Sequence, residues 1–219
     1  MTRTPLLPIV ASVPELFRLM AEQCQLTERM AVLLEHYLQC GDLALVETIQ
    51  RLEQEGARLR QRNVEWLKGE PALVLDRGAM LQACFFAEAL QGSLVGIVLD
   101  MDGMGVRGDW SILEMTVQLR HAVERLQAGH ERLRHAPAEV GSEIVAIFTA
   151  RKAMERSYRL ALARLLVGER ELLQTPNAES LQRILHLFRH REIYRRIRDA
   201  GIEIANCGRV LQDIALQFA

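Results

Sequence analysis

The sequence predicts an all-α fold, an elongated bundle of about six helices. Three observations carry that prediction. Hydrophobic residues make up 49 % of the chain but aromatics only 5 %, a composition that suits helices better than sheets, where aromatic and β-branched residues are enriched. Apolar residues recur at spacings of three and four through long stretches. Caps, glycines and prolines cut the chain into six such stretches. The last of these, Ser180 to Ala219, contains no proline and would be about 55–60 Å long at 1.5 Å per residue.

The first helix is expected to open at Ser12, where S-V-P-E forms a capping box with Pro14 in the first turn. It should stop at Gly41. Asp42 can cap the second, which runs to Gly69. A linker containing Pro71 follows. Asp76 begins the third, which should end near Asp100. The stretch DMDGMGVRGD, near the midpoint, is the clearest internal break. Asp109 or Ser111 then caps a fourth helix that ends before Pro137, and a fifth runs from about Ala138 to Val167. On the sixth, Leu181, Ile184, Leu185, Leu187, Phe188, Ile193, Tyr194, Ile197, Ile202, Ile204, Ala205, Val210, Leu211 and Ile214 are expected to share one broad face. Three helices, a glycine-rich break and three more helices suggest a duplication, with repeats over about 12–101 and 109–219 of a single domain. Arg60, Leu67, Gly69 and Glu70 match Arg159, Leu166, Gly168 and Glu169 at one offset.

The formal net charge is −1, so no global charge bias points to nucleic acid. The cysteines Cys24, Cys40, Cys84 and Cys207 lack C-x-x-C spacing and are expected to be reduced core residues. The N-terminus, broken by Pro5 and Pro8, makes a poor signal peptide. Ala79 to Met101 has the length of a membrane span, but Gln82, Glu88, Gln91 and Asp100 interrupt it. The expectation is a buried bundle helix and no transmembrane span.

No P-loop, G-x-S-x-G or G-x-G-x-x-G motif occurs, and no nucleophile–base set stands out, so the chain is read as no enzyme. DMDGMGVRGD lacks the spacing and the final glutamate of a calcium loop and reads as a connector. His186 and His190 share a helical face, but no acid between them and no third ligand make a zinc motif. Carboxylates beside apolar stripes, Glu53 and Glu55 on the second helix, Glu155 on the fifth and Glu203 on the sixth, are the candidate metal ligands.

Four segments resemble one family. LALVETIQRLEQEGARL is similar to a family segment of the form LE-x-E-A-D, and LDRGAM to P-I-D-R-E-D-I. SYRLALARLL is similar to I-Y-R-x-A-L-x-x-L-F, and REIYRRIRDAGIEIAN to Y-x-x-LE-x-A-x-D-x-x-E-D-V-A-N. The chain thus resembles the PhoU-like family over nearly its full length, and most of all its Pit-accessory branch, the phosphate transport regulators. The resemblance implies a six-helix bundle of two three-helix repeats, with carboxylate motifs that hold metal clusters.

Those motifs depart from the family pattern here. Glu53 and Glu55 remain, but an aspartate position falls on Ala57. The paired aspartates of the third helix fall on Gln91 and Gly92. On the fifth helix Glu155 survives, while a glutamate position lies near Arg151. On the sixth the acids fall on Arg198 and Ile202. A multinuclear cation site needs several anionic oxygens, so the clusters are expected to be absent or much reduced, leaving no cofactor. Arg58, Arg151 and Arg198 would then form ion pairs with Glu55, Glu155 or Glu203, or bind an anion such as phosphate.

The function implied is a non-catalytic regulator of inorganic phosphate transport that binds a membrane transporter of the Pit type or its partner. The alternatives are a helical scaffold that has lost phosphate regulation and, less favoured, a metal-dependent enzyme on a carboxylate bundle. The expected location is the cytoplasm, or a peripheral position at the inner face of the membrane. Homo-oligomerisation is compatible with long apolar helices.

Overall fold

The computed structural model describes residues 9–69, 76–167 and 178–218. Helix α1 spans Ile9–Cys40, α2 Leu43–Gly69, α3 Arg77–Met104, α4 Trp110–Leu133, α5 Gly141–Leu165 and α6 Ala178–Leu216. No strand occurs among the described residues.

Local chemistry sets most of these boundaries. Gly41 takes a left-handed φ of 68° after α1, and the Asp42 carboxylate accepts the Ala44 N–H at 2.9 Å to start α2. Asp76 accepts from Gly78 N at the start of α3. Asp109 Oδ1 accepts from Ile112 N at 2.7 Å at the start of α4.

Three boundaries differ from the sequence reading. Helix α1 begins at Ile9 rather than Ser12. Pro14 is then the sixth residue of the helix, where it has no N–H to donate to the Val10 carbonyl, and the helix carries the cost of an interior proline. Helix α3 continues through Asp100 to Met104, because Met101 is buried in the core and Gly105, at φ 63°, makes the stop. Pro137–Glu139 forms a short 3-10 turn, and α5 starts only at Gly141. The Pro71 linker and the segment before α6 lie outside the described residues.

Helix α1 packs on α2, α3 and α4, and α6 packs on α3, α4 and α5. Helix α2 packs on α1 and α3, and α5 on α4 and α6. This scheme is unchanged when α1–α3 are exchanged for α4–α6. The core runs the length of the bundle through fully buried Leu34, Ile49, Leu94, Ile97, Met101, Ile112 and Met115. Helix α3 is long and apolar enough to cross a membrane by composition. Its hydropathy is used inside the bundle, where Met80, Leu90, Leu94, Ile97 and Val98 have no exposure.

The cysteine expectation needs one correction. Cys24, Cys84 and Cys207 are buried, but Cys40 is exposed at the end of α1, where the chain leaves the core. Burial pushes the Cys84 thiol up to about 11 and, with the nearby Glu203 carboxylate, the Cys207 thiol up to about 12.

His130 is 4 % exposed. Its Nδ1 lies 2.9 Å from the Leu126 carbonyl, to which it donates, and 3.4 Å from Cys24 Sγ. Burial lowers its pKa below the ordinary 6.5. The unfolded chain therefore binds more protons than the folded one between the depressed value and 6.5, and stability rises with pH across that window. The contribution is complete above about 6.5 and is lost as pH falls through the folded value. In denaturant melts from pH 7.5 to 5, the wild type is expected to lose more stability than His130→Leu. Parallel profiles would refute the assignment.

Candidate functional site

The residues that the family resemblance singles out lie on two seams, α2–α3 and α5–α6. Within the α1–α3 half, Gln91 and Gly92 are the residues on which the resemblance would place paired aspartates. Gln91 is 1 % exposed and turned inward. Its Nε2 donates to Thr27 Oγ1 at 2.8 Å and approaches the Gln23 carbonyl at 3.4 Å. Gln23 in turn donates to the Cys84 carbonyl at 3.1 Å and accepts from Asn63 Nδ2 at 3.2 Å. Gly56 makes the space, since a Cβ there would lie 2.1 Å from Gln91 Oε1. A neutral amide suits this site; a carboxylate would bury a charge with no cation among these partners.

Gly92 leaves room for the Glu53 carboxylate, which would lie 3.8 Å from a Cβ at that position. Burial, then the neighbouring Glu88 carboxylate, raises the Glu53 pKa. Glu88 itself is held by Arg60 at 2.7 Å, and the Arg60 guanidinium lies 5.5 Å from the centre of the Phe85 ring. Glu55 and Arg58 are exposed on α2.

The α5–α6 seam is close. A Cβ on Gly208 would meet Ile147 Cγ2 at 3.0 Å, and one on Gly201 would meet Met154 Cε at 2.8 Å. Arg198 lies 5.2 Å from the centre of the Tyr158 ring and 3.3 Å from Asp199. Its Nε is buried without a hydrogen-bond partner. Glu155 sits between Arg151 at 3.8 Å and Arg159 at 3.2 Å. Glu203 accepts from Asn206 Nδ2 at 3.3 Å. Arg196 crosses to α3, where it meets Asp100 at 2.7 Å.

The four acids read from the sequence therefore do not converge. Glu53 and Glu55 are on α2, Glu155 on α5 and Glu203 on α6, and α2 and α5 lie on opposite flanks of the bundle. Among the described residues no group of three or more His, Cys, Asp or Glu side chains is placed to hold a metal ion. Arg151 lies 3.8 Å from Glu155, one turn on along the same helix. Arg198 pairs with its neighbour Asp199 and the Tyr158 ring instead of Glu55, Glu155 or Glu203.

Two sets of polar residues escaped the sequence reading. Gln23 and Thr27, one turn apart within the apolar face of α1, hold Gln91, and that i, i+4 polar pair was the available signal. Asp109 serves twice, capping α4 through Oδ1 and accepting the Tyr194 hydroxyl through Oδ2. The cap was legible and the contact with α6 was not. Burial, and then that carboxylate, raise the Tyr194 pKa.

No protein-family model and no curated protein matches the chain. Among solved structures, a PhoU-like protein from Shewanella oneidensis MR-1 superposes with a TM-score of 0.72. The match covers 92 % of this chain and 99 % of that one at 13 % sequence identity. The chain has a PhoU-like fold, and its described residues form six α-helices and no strand.

Proposed function

We propose that this chain is a non-catalytic regulator of inorganic phosphate transport, acting by binding a membrane transporter of the Pit type or its partner. The observation that carries this reading is the PhoU-like fold shared over nearly the whole of both chains. The four motif segments that resemble the Pit-accessory branch support it. Fold alone does not set function, so the test addresses the partner directly. Affinity isolation of the tagged full chain from solubilised membranes should bring down a Pit-type phosphate transporter. Isolation without any phosphate transporter overturns the reading.

The seams support a regulator that works without the family's metal clusters. Of the carboxylates that remain, Glu155 is engaged by Arg151 and Arg159 and Glu203 by Asn206, while Glu53 faces the Glu88 carboxylate that Arg60 holds. Arginine brings positive charge where a cation cluster needs anionic oxygens. Purified protein is expected to carry no stoichiometric transition metal by elemental analysis. Two or more ions at Glu55 and Glu155, located by anomalous scattering, would contradict this. Arg198 is assigned a packing and ion-pair role through Tyr158 and Asp199. Calorimetric titration with inorganic phosphate should give the same result for wild type and Arg198→Ala. Phosphate binding that the substitution weakens would show an anion site instead.

A further inference from the structure

The first turns of α6 carry a second apolar stripe that the bundle does not use. Leu181 is 59 % exposed, Leu185 45 % and Phe188 62 %. Their i, i+4, i+7 spacing places them on one side of the helix. Phe188 and Ile197 are ~2.5 turns apart, so they point in opposite directions. Ile197 is fully buried. The expectation of one broad apolar face along α6 is thus corrected: in its first turns Ser180 is buried and Ile184 and Leu187 half-buried on one side, while Leu181, Leu185 and Phe188 lie exposed on another.

The geometry explains why this stretch is uncovered. Gly201 faces Met154 and Gly208 faces Ile147, so α5 runs antiparallel to α6 and its end at Leu165 falls level with about His190. Asp76 meets Gln217 and Asp100 meets Arg196, so α3 is also antiparallel and ends near the same level. Helix α4 starts beside Tyr194, through Asp109. Residues 178–189, ~18 Å of helix at 1.5 Å per residue, therefore lie beyond the ends of α3, α4 and α5, with Leu181, Leu185 and Phe188 on the exposed side.

Charge points to the occupant. From Ser180 to Arg191 there is no acid, while Arg183, Arg189 and Arg191 are present with His186 and His190. Arg189 and Arg191 flank Phe188 along the helix. Trp110, 69 % exposed, opens α4 at the same end, and Leu166 and Val167, 57 % and 80 % exposed, follow α5 there. An apolar stripe of Leu and Phe bordered by arginines, with tryptophan at its edge, has the pattern of a helix that lies in a membrane interface. A second copy of the chain would bring the arginines of two stripes together, whereas an anionic lipid surface neutralises them.

We infer that the projecting start of α6 docks this protein on an anionic lipid surface. Leu181, Leu185 and Phe188 enter the headgroup boundary, and Arg189 and Arg191, which border them, contact lipid phosphates. The interaction is separate from any transporter contact and needs lipid alone.

The test is sedimentation of the purified full chain with protein-free vesicles, either phosphatidylcholine alone or mixed with phosphatidylglycerol. The chain should bind the mixed vesicles, bind neutral vesicles at least about tenfold more weakly, and release as salt rises. Phe188→Asp should abolish binding, and Arg189→Glu with Arg191→Glu should weaken it about tenfold or more. Both variants alter exposed positions, and an unchanged thermal midpoint verifies their fold. Equal binding to both vesicle types, or full binding by Phe188→Asp, overturns the inference. So does the absence of vesicle binding together with self-association that Phe188→Asp abolishes, which would assign the stripe to a second copy. Because no transporter is present, the outcome is independent of the regulatory reading.

Discussion

Asp109→Ala is expected to destabilise the protein by about 2–3 kcal/mol, among the largest effects of any single polar substitution. One carboxylate performs two tasks. Oδ1 accepts from Ile112 N at 2.7 Å and caps α4, and loss of such a cap costs ~1 kcal/mol. Oδ2 accepts the hydroxyl of Tyr194, which is 3 % exposed. Stranding a buried donor costs ~1–3 kcal/mol, moderated here because Ser111 also faces the hydroxyl. The same contact ties the start of α4 to α6. Tyr194→Phe should remove the second part and leave the cap. In a double-mutant cycle by urea melts the two substitutions should therefore be less than additive. Strict additivity would show that the cap and the tie are independent.

Gly208→Leu is expected to cost about 3 kcal/mol or more. Gly208 is buried against Ile147, which has no exposure. A Cβ there already falls 3.0 Å from Ile147 Cγ2, so the rest of a leucine side chain must drive α5 and α6 apart. Gly208→Ala supplies the control. Alanine gains ~1 kcal/mol of helix propensity over glycine, and the tight methyl contact offsets it, so the net change should be small. If Gly208→Leu melted at the wild-type midpoint, the close α5–α6 seam would be wrong.

The parts of this fold that were readable in the sequence are the local ones. Asp42, Asp76 and Asp109 announce helix starts, because a cap acts within three residues of itself. Gly41 announces a stop for the same kind of reason. The end of α3 was misread at Asp100 because what carries the helix onward is burial of Met101, a tertiary contact. The stripe of α6 was misread because a list of apolar positions merges two faces unless it is phased at 100° per residue. Leu181, Leu185 and Phe188 then separate from Ile193 and Ile197. Which of them meets a partner depends on where α3, α4 and α5 stop.

At the seams, sequence and structure divide in the same way. That Gln91, Gly92, Arg198 and Ile202 carry no carboxylate was legible residue by residue. The inward turn of Gln91 toward Thr27 was not, because it requires the small Gly56 on α2 and the polar pair on α1 to meet at one level. Nor was the pairing of Arg196 with Asp100, which joins the two halves across ninety-odd positions of chain. Only the three-dimensional placement shows that Glu53 on α2 and Glu155 on α5 lie on opposite flanks of the bundle.

A role of this PhoU-like bundle in regulating phosphate transport is proposed on its fold. Uptake of radiolabelled inorganic phosphate by cells with and without the gene tests it most directly. The account predicts that deletion changes the uptake rate and that the intact chain restores it. Uptake that is identical in the two strains, under both phosphate-replete and phosphate-starved growth, would contradict it.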